Sequence, residues 1–299
     1  MTFPVMTDAW RLSRLENPEG RLSVVLDTDT YNEVDDQFAL AYALLSKERL
    51  SVEAVYAAPF VNSTGDGMER SYDEILRVLG LMGVPADGFV YKGSNRFLQN
   101  DTPIDSPAAR DLIQRAMARS DDDPLYVAAI GACTNVASAI MLEPEIIRKI
   151  VVVWLGGTSL HCGAAREFNL SQDLTASRLL FDCGVPLVHI PTMGVSSHML
   201  TTLAELNANM KGKNVLCDKL VELFAAYSDD HFAWSKEIWD IAVIAYLINP
   251  DWVPATVVHS PVLTDQHTWS HDAGRHLIRS ASFASRNPIF RDMFTKLTV

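Results

Sequence analysis

"VVLDTDTYNEVDDQFALAYALL", residues 24–45, passes from apolar chain through a loop crowded with carboxylates and back into apolar chain. The opening run, Val24 to Leu26, is apolar throughout, as expected of a strand buried on both faces. In the closing run, Phe38, Ala41, Tyr42 and Leu45 recur at helical spacing, which predicts a helix packed on such a sheet. Asp27, Asp29, Glu33, Asp35 and Asp36 stand between the two. Strand, acidic loop and helix in that order make the first unit of a doubly wound fold.

The same alternation continues along the chain. Strand-like apolar runs recur at 22–27, 52–58, 88–91, 125–131, 150–157 and 185–191, and Ile75, Leu76, Leu79 and Met82 repeat the helical period. Strands without polar alternation, separated by helices, predict an α/β class with a doubly wound, mostly parallel sheet and helices on both faces. The stretch 197–250 reads as more helical, and "WVPATVVHS" (252–260) as one more strand. With no low-complexity linker and no internal repeat, residues 1–299 are expected to form a single domain. In such sheets ligands bind beyond the carboxyl ends of the strands. Attention therefore falls on "DTDTYNEVDD", "APFVNSTGDG", "GACTN", "GGTSLHCGAAREFN" and "PTMGVSSHML".

Composition narrows the partners. At 299 residues, 48% hydrophobic and 21% charged, the chain can bury a large core. A formal charge of -12 repels phosphate backbones, so nucleic acid is not an expected partner, and a small neutral or cation-assisted ligand is. Cys133, Cys162, Cys183 and Cys217 form no CxxC pair and suit buried thiols in a reducing compartment. The N-terminal stretch has no signal-peptide pattern and no apolar run is long enough for a bilayer, so a cytoplasmic protein with no membrane partner is expected.

Carboxylates packed into one tight loop raise one another's pKa unless a cation joins them. A hard divalent metal with oxygen ligands resolves the conflict, and no His/Cys group suited to zinc stands nearby. Asp35 and Asp36 could instead simply cap the helix, but that leaves Asp27 and Asp29 at the strand end unexplained.

Two unrelated chemistries open with this pattern. "VVLDTDT" resembles the first motif of haloacid-dehalogenase-like phosphatases, in which Asp27 would be the nucleophile, Asp29 the acid/base and magnesium the metal. It also resembles the opening of the inosine-uridine-preferring nucleoside hydrolases, DxDxxxDD followed by an apolar helix, and Asp35–Asp36 before "QFALAYALL" favours this family. "AAIGACTNVASAIMLEPEI" (128–146), "VVVWLGG" (151–157), "REFNLSQDLTAS" (166–177) and "WDIAVIAYLINPD" (239–251) are similar to further segments of the same family, in the family's order.

That resemblance implies a calcium-dependent N-ribohydrolase acting on a small-molecule riboside. Calcium would be held by Asp29, Asp36, the main-chain carbonyl of Ile130 and Asp240. Asp29 would also act as general base toward the attacking water, and the bond would break through an oxocarbenium-like state. Asp35, Glu167 and Asn169 would hold ribose hydroxyls. Asn62 is either a further ribose contact or a turn residue in "NSTGDG". Trp239 stands where many relatives have a His that protonates the leaving base. It either stacks on the base, favouring purine over pyrimidine, or fills core space. Family members are commonly dimers or tetramers, so a homodimer or homotetramer is expected.

The chain departs from the family in two places. Asp29 to Asp35 is two residues longer than the family spacing, with Tyr31, Asn32 and Glu33 replacing a Pro-Gly turn. His161 occupies a position where relatives carry Asn, and could meet a 5' substituent or sit solvated in its Gly/Ser loop. These changes point to a remodelled pocket and to a modified nucleoside as substrate. A riboside-binding protein without turnover is the remaining alternative.

Overall fold

The computed structural model describes residues 2–99 and 102–299. Its strands are β1 (Leu22–Thr28), β2 (Leu50–Ala57), β3 (Val90–Lys92), β4 (Leu125–Ala129), β5 (Ile150–Leu155), β6 (Leu187–Ile190), β7 (Leu200–Thr201), β8 (Lys236–Glu237), β9 (Ala255–His259), β10 (Val262–Leu263), β11 (Trp269–Ser270) and β12 (Leu277–Ala281). Eight of them form one sheet in the order β3-β2-β1-β4-β5-β6-β12-β9. All its pairs are parallel except β12 with β9, which closes one edge antiparallel. β7 and β8 pair separately, as do β10 and β11.

Helices cover both faces, as the unbroken apolar strands require. Val24 and Leu26 of β1 point into one core, with Phe38 and Tyr42 of the helix Asp35–Leu45 and Ile241 and Ile244 of the helix Ile241–Ile248. Val25, between them, points into the opposite core, beside Val136 of the helix Thr134–Leu142 and Leu180 of the helix Leu174–Asp182. The period-two alternation of a strand sends neighbours to opposite faces even where both are dry. β5, Ile-Val-Val-Val-Trp-Leu, is buried at every position.

The chain winds outward from β1 in one direction through β2 and β3, and from β4 in the other. The switch point thus lies between β1 and β4, where the loops after adjacent parallel strands diverge and leave a crevice at their carboxyl ends. The acidic loop and Ile130 both emerge there.

Candidate active site

A cavity of about 290 Å³ opens at this switch point. Asp29, Asn32, Glu33, Asp35 and Asp36 line it from the loop after β1 and the first turn of the helix that follows. Ile130 comes from the end of β4, Leu155 from β5, and Thr192 and Met193 from the loop after β6. Arg166, Glu167, Phe168 and Asn169 form another wall, and Trp239 and Asp240 stand at the start of the helix Ile241–Ile248.

Local interactions set each group. The N–H of Asn32 donates to the carbonyl of Asp29 (2.8 Å), turning the lengthened loop back on itself. Asp36 accepts from Thr28 Oγ1 (2.5 Å), and Asp35 from the main-chain N–H of Trp239 (3.0 Å). The helix Asp35–Leu45 has no side-chain cap at Val34, so its first two acids serve the cavity and not the cap. Asn169 Nδ2 donates to the carbonyls of Ile130 (3.0 Å) and Leu155 (3.1 Å), tying the ends of β4 and β5 to the helix Phe168–Gln172. Glu167 accepts the N–H groups of Gly157 (2.7 Å), Asn169 (3.0 Å) and Leu170 (3.1 Å), which fixes its carboxylate and caps the helix Phe168–Gln172. Gly157 adopts φ 67°, and a Cβ there would stand 2.9 Å from Leu170 and 3.0 Å from Trp269, so the second Gly of "LGG" is sterically required.

Asp27, the nucleophile of a phosphatase reading, is fully buried, accepts from Asn135 Nδ2 (2.7 Å) and is not among the lining residues. Burial pushes its carboxyl up to about 7, against the hydrogen bond from Asn135. It is poorly disposed to attack a phosphoryl group.

The remaining acids are under electrostatic stress. Burial raises Asp29 well above the carboxylate range, and Asp36 and Asp35 add to it. Asp36 and Asp240 are raised by burial and then most by Asp35. Asp35 is pushed up to about 7 by burial and Glu33, with Lys236 opposing. Carboxylate oxygens of Asp35, Asp36 and Asp240 lie within 4.8 Å of one another, and Oδ2 of Asp29 is buried without a hydrogen-bond partner. An orphaned anionic oxygen beside three crowded carboxylates, with only oxygen donors around, fits a hard divalent cation. Asp35, which the family resemblance assigns to ribose, belongs to the tightest carboxylate trio among the described residues.

The structure thus brings Asp29, Asp35, Asp36, Ile130, Glu167, Asn169, Trp239 and Asp240 to one cavity. Asn62 and His161 lie elsewhere. Asn62 donates to Asp66 (2.7 Å) and accepts from the N–H of Gly65 (2.7 Å), the self-contained turn that Asn favours. His161 is exposed and lines a separate cavity with Ser159, Thr256 and His259. Thr192 and Met193 were reachable from the sequence, because their segment follows a strand. Arg166 precedes and Phe168 lies within the Glu-Phe-Asn segment 167–169, but the sequence assigned neither a role.

Fold and cleft together define an α/β protein built on a doubly wound sheet, with a carboxylate-centred site at the switch point. Residues 24–288 match the model of the inosine-uridine preferring nucleoside hydrolases, and the chain belongs to that family of N-glycosyl hydrolases acting on ribonucleosides. The pyrimidine-specific ribonucleoside hydrolase RihA of Enterobacter sp. (strain 638) is 28% identical over 256 residues, covering 77% of this chain and 80% of that protein. Among solved structures, a plant nucleoside hydrolase, the PpNRh1 enzyme, shares the fold with a TM-score of 0.74 at 19% identity, covering 94% of this chain and 100% of the other. A purine-preferring ribonucleoside hydrolase from Gardnerella vaginalis gives 0.73 at 20% identity, covering 92% and 98%. No helix among the described residues is long and apolar enough to cross a membrane.

Proposed function

We propose that this chain hydrolyses the N-glycosidic bond of a ribonucleoside, purine or modified, to free base and ribose, with calcium as its cofactor and Asp29 as general base. Asp29, Asp36, Asp240 and the main-chain carbonyl of Ile130 would hold the ion, with Asp35 adjoining. When bound, calcium neutralises the crowded carboxylates and favours ionisation of nearby water. Asp29 takes a proton from the attacking water, and its unpartnered Oδ2 is the atom free to do so. Asp35, Glu167 and Asn169 position ribose hydroxyls. The surrounding carboxylates also favour the positive charge that develops on the sugar as the bond breaks. Trp239, half-buried on the wall, offers an indole face to the departing base.

The observation that carries this reading is the unpartnered Asp29 oxygen in a cleft that also gathers Asp36, Asp240 and Ile130. The relatives named above differ in base preference, so the purine assignment rests on Trp239. A single sheet drawing strands from Leu22 to Ala281 supports one domain over residues 1–299. A cytoplasmic homodimer or homotetramer is proposed by analogy with the family.

The test is to incubate the calcium-loaded protein with a panel of ribosides and measure free ribose as reducing sugar. Ribose release is expected, faster from inosine than from uridine. Release from none of the panel would leave a riboside-binding protein, and cleavage of an aryl phosphate instead would restore the phosphatase reading.

A further inference from the structure

Another cavity, of about 450 Å³, lies at the far end of the sheet from the acidic cleft. Its walls come from the segment 3–11, from Cys183 and Gly184 ahead of β6, and from Arg275 and His276 ahead of β12. β6 and β12 run parallel, so the cavity sits at the amino ends of strands, whereas the cleft sits at carboxyl ends. Arg11, in the helix Asp8–Arg14, is only 4% exposed and so is not a solvated surface cation. No carboxylate among the described residues forms an ion pair with it. Asp182 is taken by Arg275 (2.5 Å), and Asp8 is exposed and acts on Arg11 from beyond pairing distance. A buried guanidinium without a paired anion is costly.

Hydrogen bonding around the cavity is incomplete. Arg11 Nη1 donates to the carbonyl of Gly184, while its Nε is buried with no partner among the described residues. Arg275 Nη2 donates to the carbonyl of Phe181 (2.7 Å) and to Asp182, and its Nε is likewise buried and unpartnered. Nε2 of the His276 ring is the third such nitrogen. Three side chains from two distant segments thus keep unused hydrogen-bonding capacity around one cavity. They also crowd one another, because burial first, and then Arg11 and Arg275, push His276 down to about 4. Gly184 adopts φ 82°, and a Cβ there would stand 3.4 Å from Arg11 Nη2, so glycine leaves the guanidinium its room. The arrangement is the charge-inverted counterpart of the acidic cleft: crowded cations are relieved by an anion, as crowded carboxylates are by a cation.

We propose that this cavity binds the phosphate group of a small molecule, held by Arg11, Arg275 and His276 at a site separate from the acidic cleft. The proposal goes beyond the reaction assigned to that cleft and does not depend on it. A tetrahedral phosphate brings up to two charges and at least three acceptor oxygens, enough to meet all three side chains, whereas a carboxylate has two oxygens and one charge. Guanidinium forks match phosphate oxygens in pairs. The cavity is larger than a bare phosphate fills, and Phe3, Pro4 and Met6 line the remainder, which leaves room for the organic part of an ester. Phe3, Pro4, Val5, Met6, Asp8 and Arg11 all precede residue 24, where the match to the family begins. The site is therefore completed by a segment outside the region that this chain shares with the family.

The experiment is isothermal titration of the full chain with inorganic phosphate, ribose 5-phosphate and acetate, in buffer without calcium so that phosphate stays soluble. It is run on the wild type, Arg11→Met, Arg275→Gln and Asp29→Asn, with circular dichroism checking that each variant is folded. One phosphate per chain is expected to bind the wild type. Arg11→Met and Arg275→Gln should each weaken it by about 10–100-fold, the effect of one charged hydrogen-bonded partner. Arg275 is partly exposed, so its variant keeps the test decisive if Arg11→Met does not fold. Asp29→Asn, altered only in the cleft, should bind as the wild type does. Tighter binding of ribose 5-phosphate identifies an organic ester as the ligand, and equal affinities identify free phosphate; both support the site. The proposal is overturned if neither phosphate binds, if acetate binds as tightly, or if the arginine substitutions leave the affinity unmoved. Binding that disappears in Asp29→Asn places the anion in the cleft and overturns it as well.

Discussion

Lys236 Nζ lies 2.6 Å from the carboxylate of Glu33, an ion pair joining residues 203 apart in sequence. It fastens the lengthened loop after β1 to the segment that delivers Trp239 and Asp240. Lys236 also sits 4.3 Å from the ring centre of Tyr227 and opposes the rise of Asp35. Glu33 is more than a third exposed, so solvent discounts the pair. A double-mutant cycle of Lys236→Met and Glu33→Gln is expected to give a coupling of about 1 kcal/mol or less in urea unfolding. Additive effects would mean that the loop is held by other contacts.

Asp29→Asn should lower kcat by about 10²–10⁴, the usual worth of a positioned proton acceptor. Because it removes one charge from a buried cluster, the same variant is expected to melt no lower than wild type when calcium is chelated. Wild-type turnover in this variant would remove Asp29 as the base.

The response to calcium should depend on pH with a definite sign. Asp27 and Asp35 are both pushed up to about 7 by burial, above their unfolded value near 3.8. Their contribution to the stability of the cation-free fold is fully present below pH 3.8 and is lost as pH rises through about 7. A cation bound beside Asp35 replaces its proton, whereas Asp27, held by Asn135 outside the cavity, contributes equally with and without calcium. The rise in melting temperature on adding calcium is therefore expected to be small at pH 5.5 and several degrees at pH 8, as roughly 2–4 °C per kcal/mol applies to domains of this size or somewhat smaller. His189, pushed down to about 4 by burial, destabilises the fold on acidification, but equally with and without calcium. An increment independent of pH would place the ion away from these acids.

Gly131 follows Ile130, and a Cβ built on it would stand 2.8 Å from Asp29 Oδ1. Gly131→Ala must displace that carboxylate. Calcium affinity should fall by about 10-fold or more, the scale seen when the support of a ligand is disturbed, with the far-ultraviolet circular dichroism unchanged. An unaltered dissociation constant by calorimetry would take Asp29 out of the coordination shell.

Much of the fold was legible because burial on both faces leaves an unmistakable record. Runs such as Ile150 to Leu155 carry no polar residue, and such strands occur where helices cover the sheet on each side. The acidic loop was legible as a site because five carboxylates between two buried segments have no cheap structural explanation. Asp240 and Glu167 were reached through resemblance alone, since an acid at the start of a helix is ordinary in itself. Asn62 and His161 do not line the cavity, because a residue after a strand is only near the crevice and the path of its own loop decides whether it enters. The two-residue extension at Tyr31 to Glu33 carried no sign of its partner Lys236, a contact made only when the chain closes.

By itself the sequence determined the alternation of strand and helix, the sheet they form and the concentration of acids at the end of its first strand, because period and burial are local properties. Tertiary structure alone decided which carboxylates meet, that Asp35 joins Asp36 and Asp240, that Asp27 is sealed beneath Asn135, and that Arg166 faces the cavity against His267. Those relationships join segments as far apart as Asp35 and Asp240, and no local pattern encodes a distance of a few ångströms across such a gap.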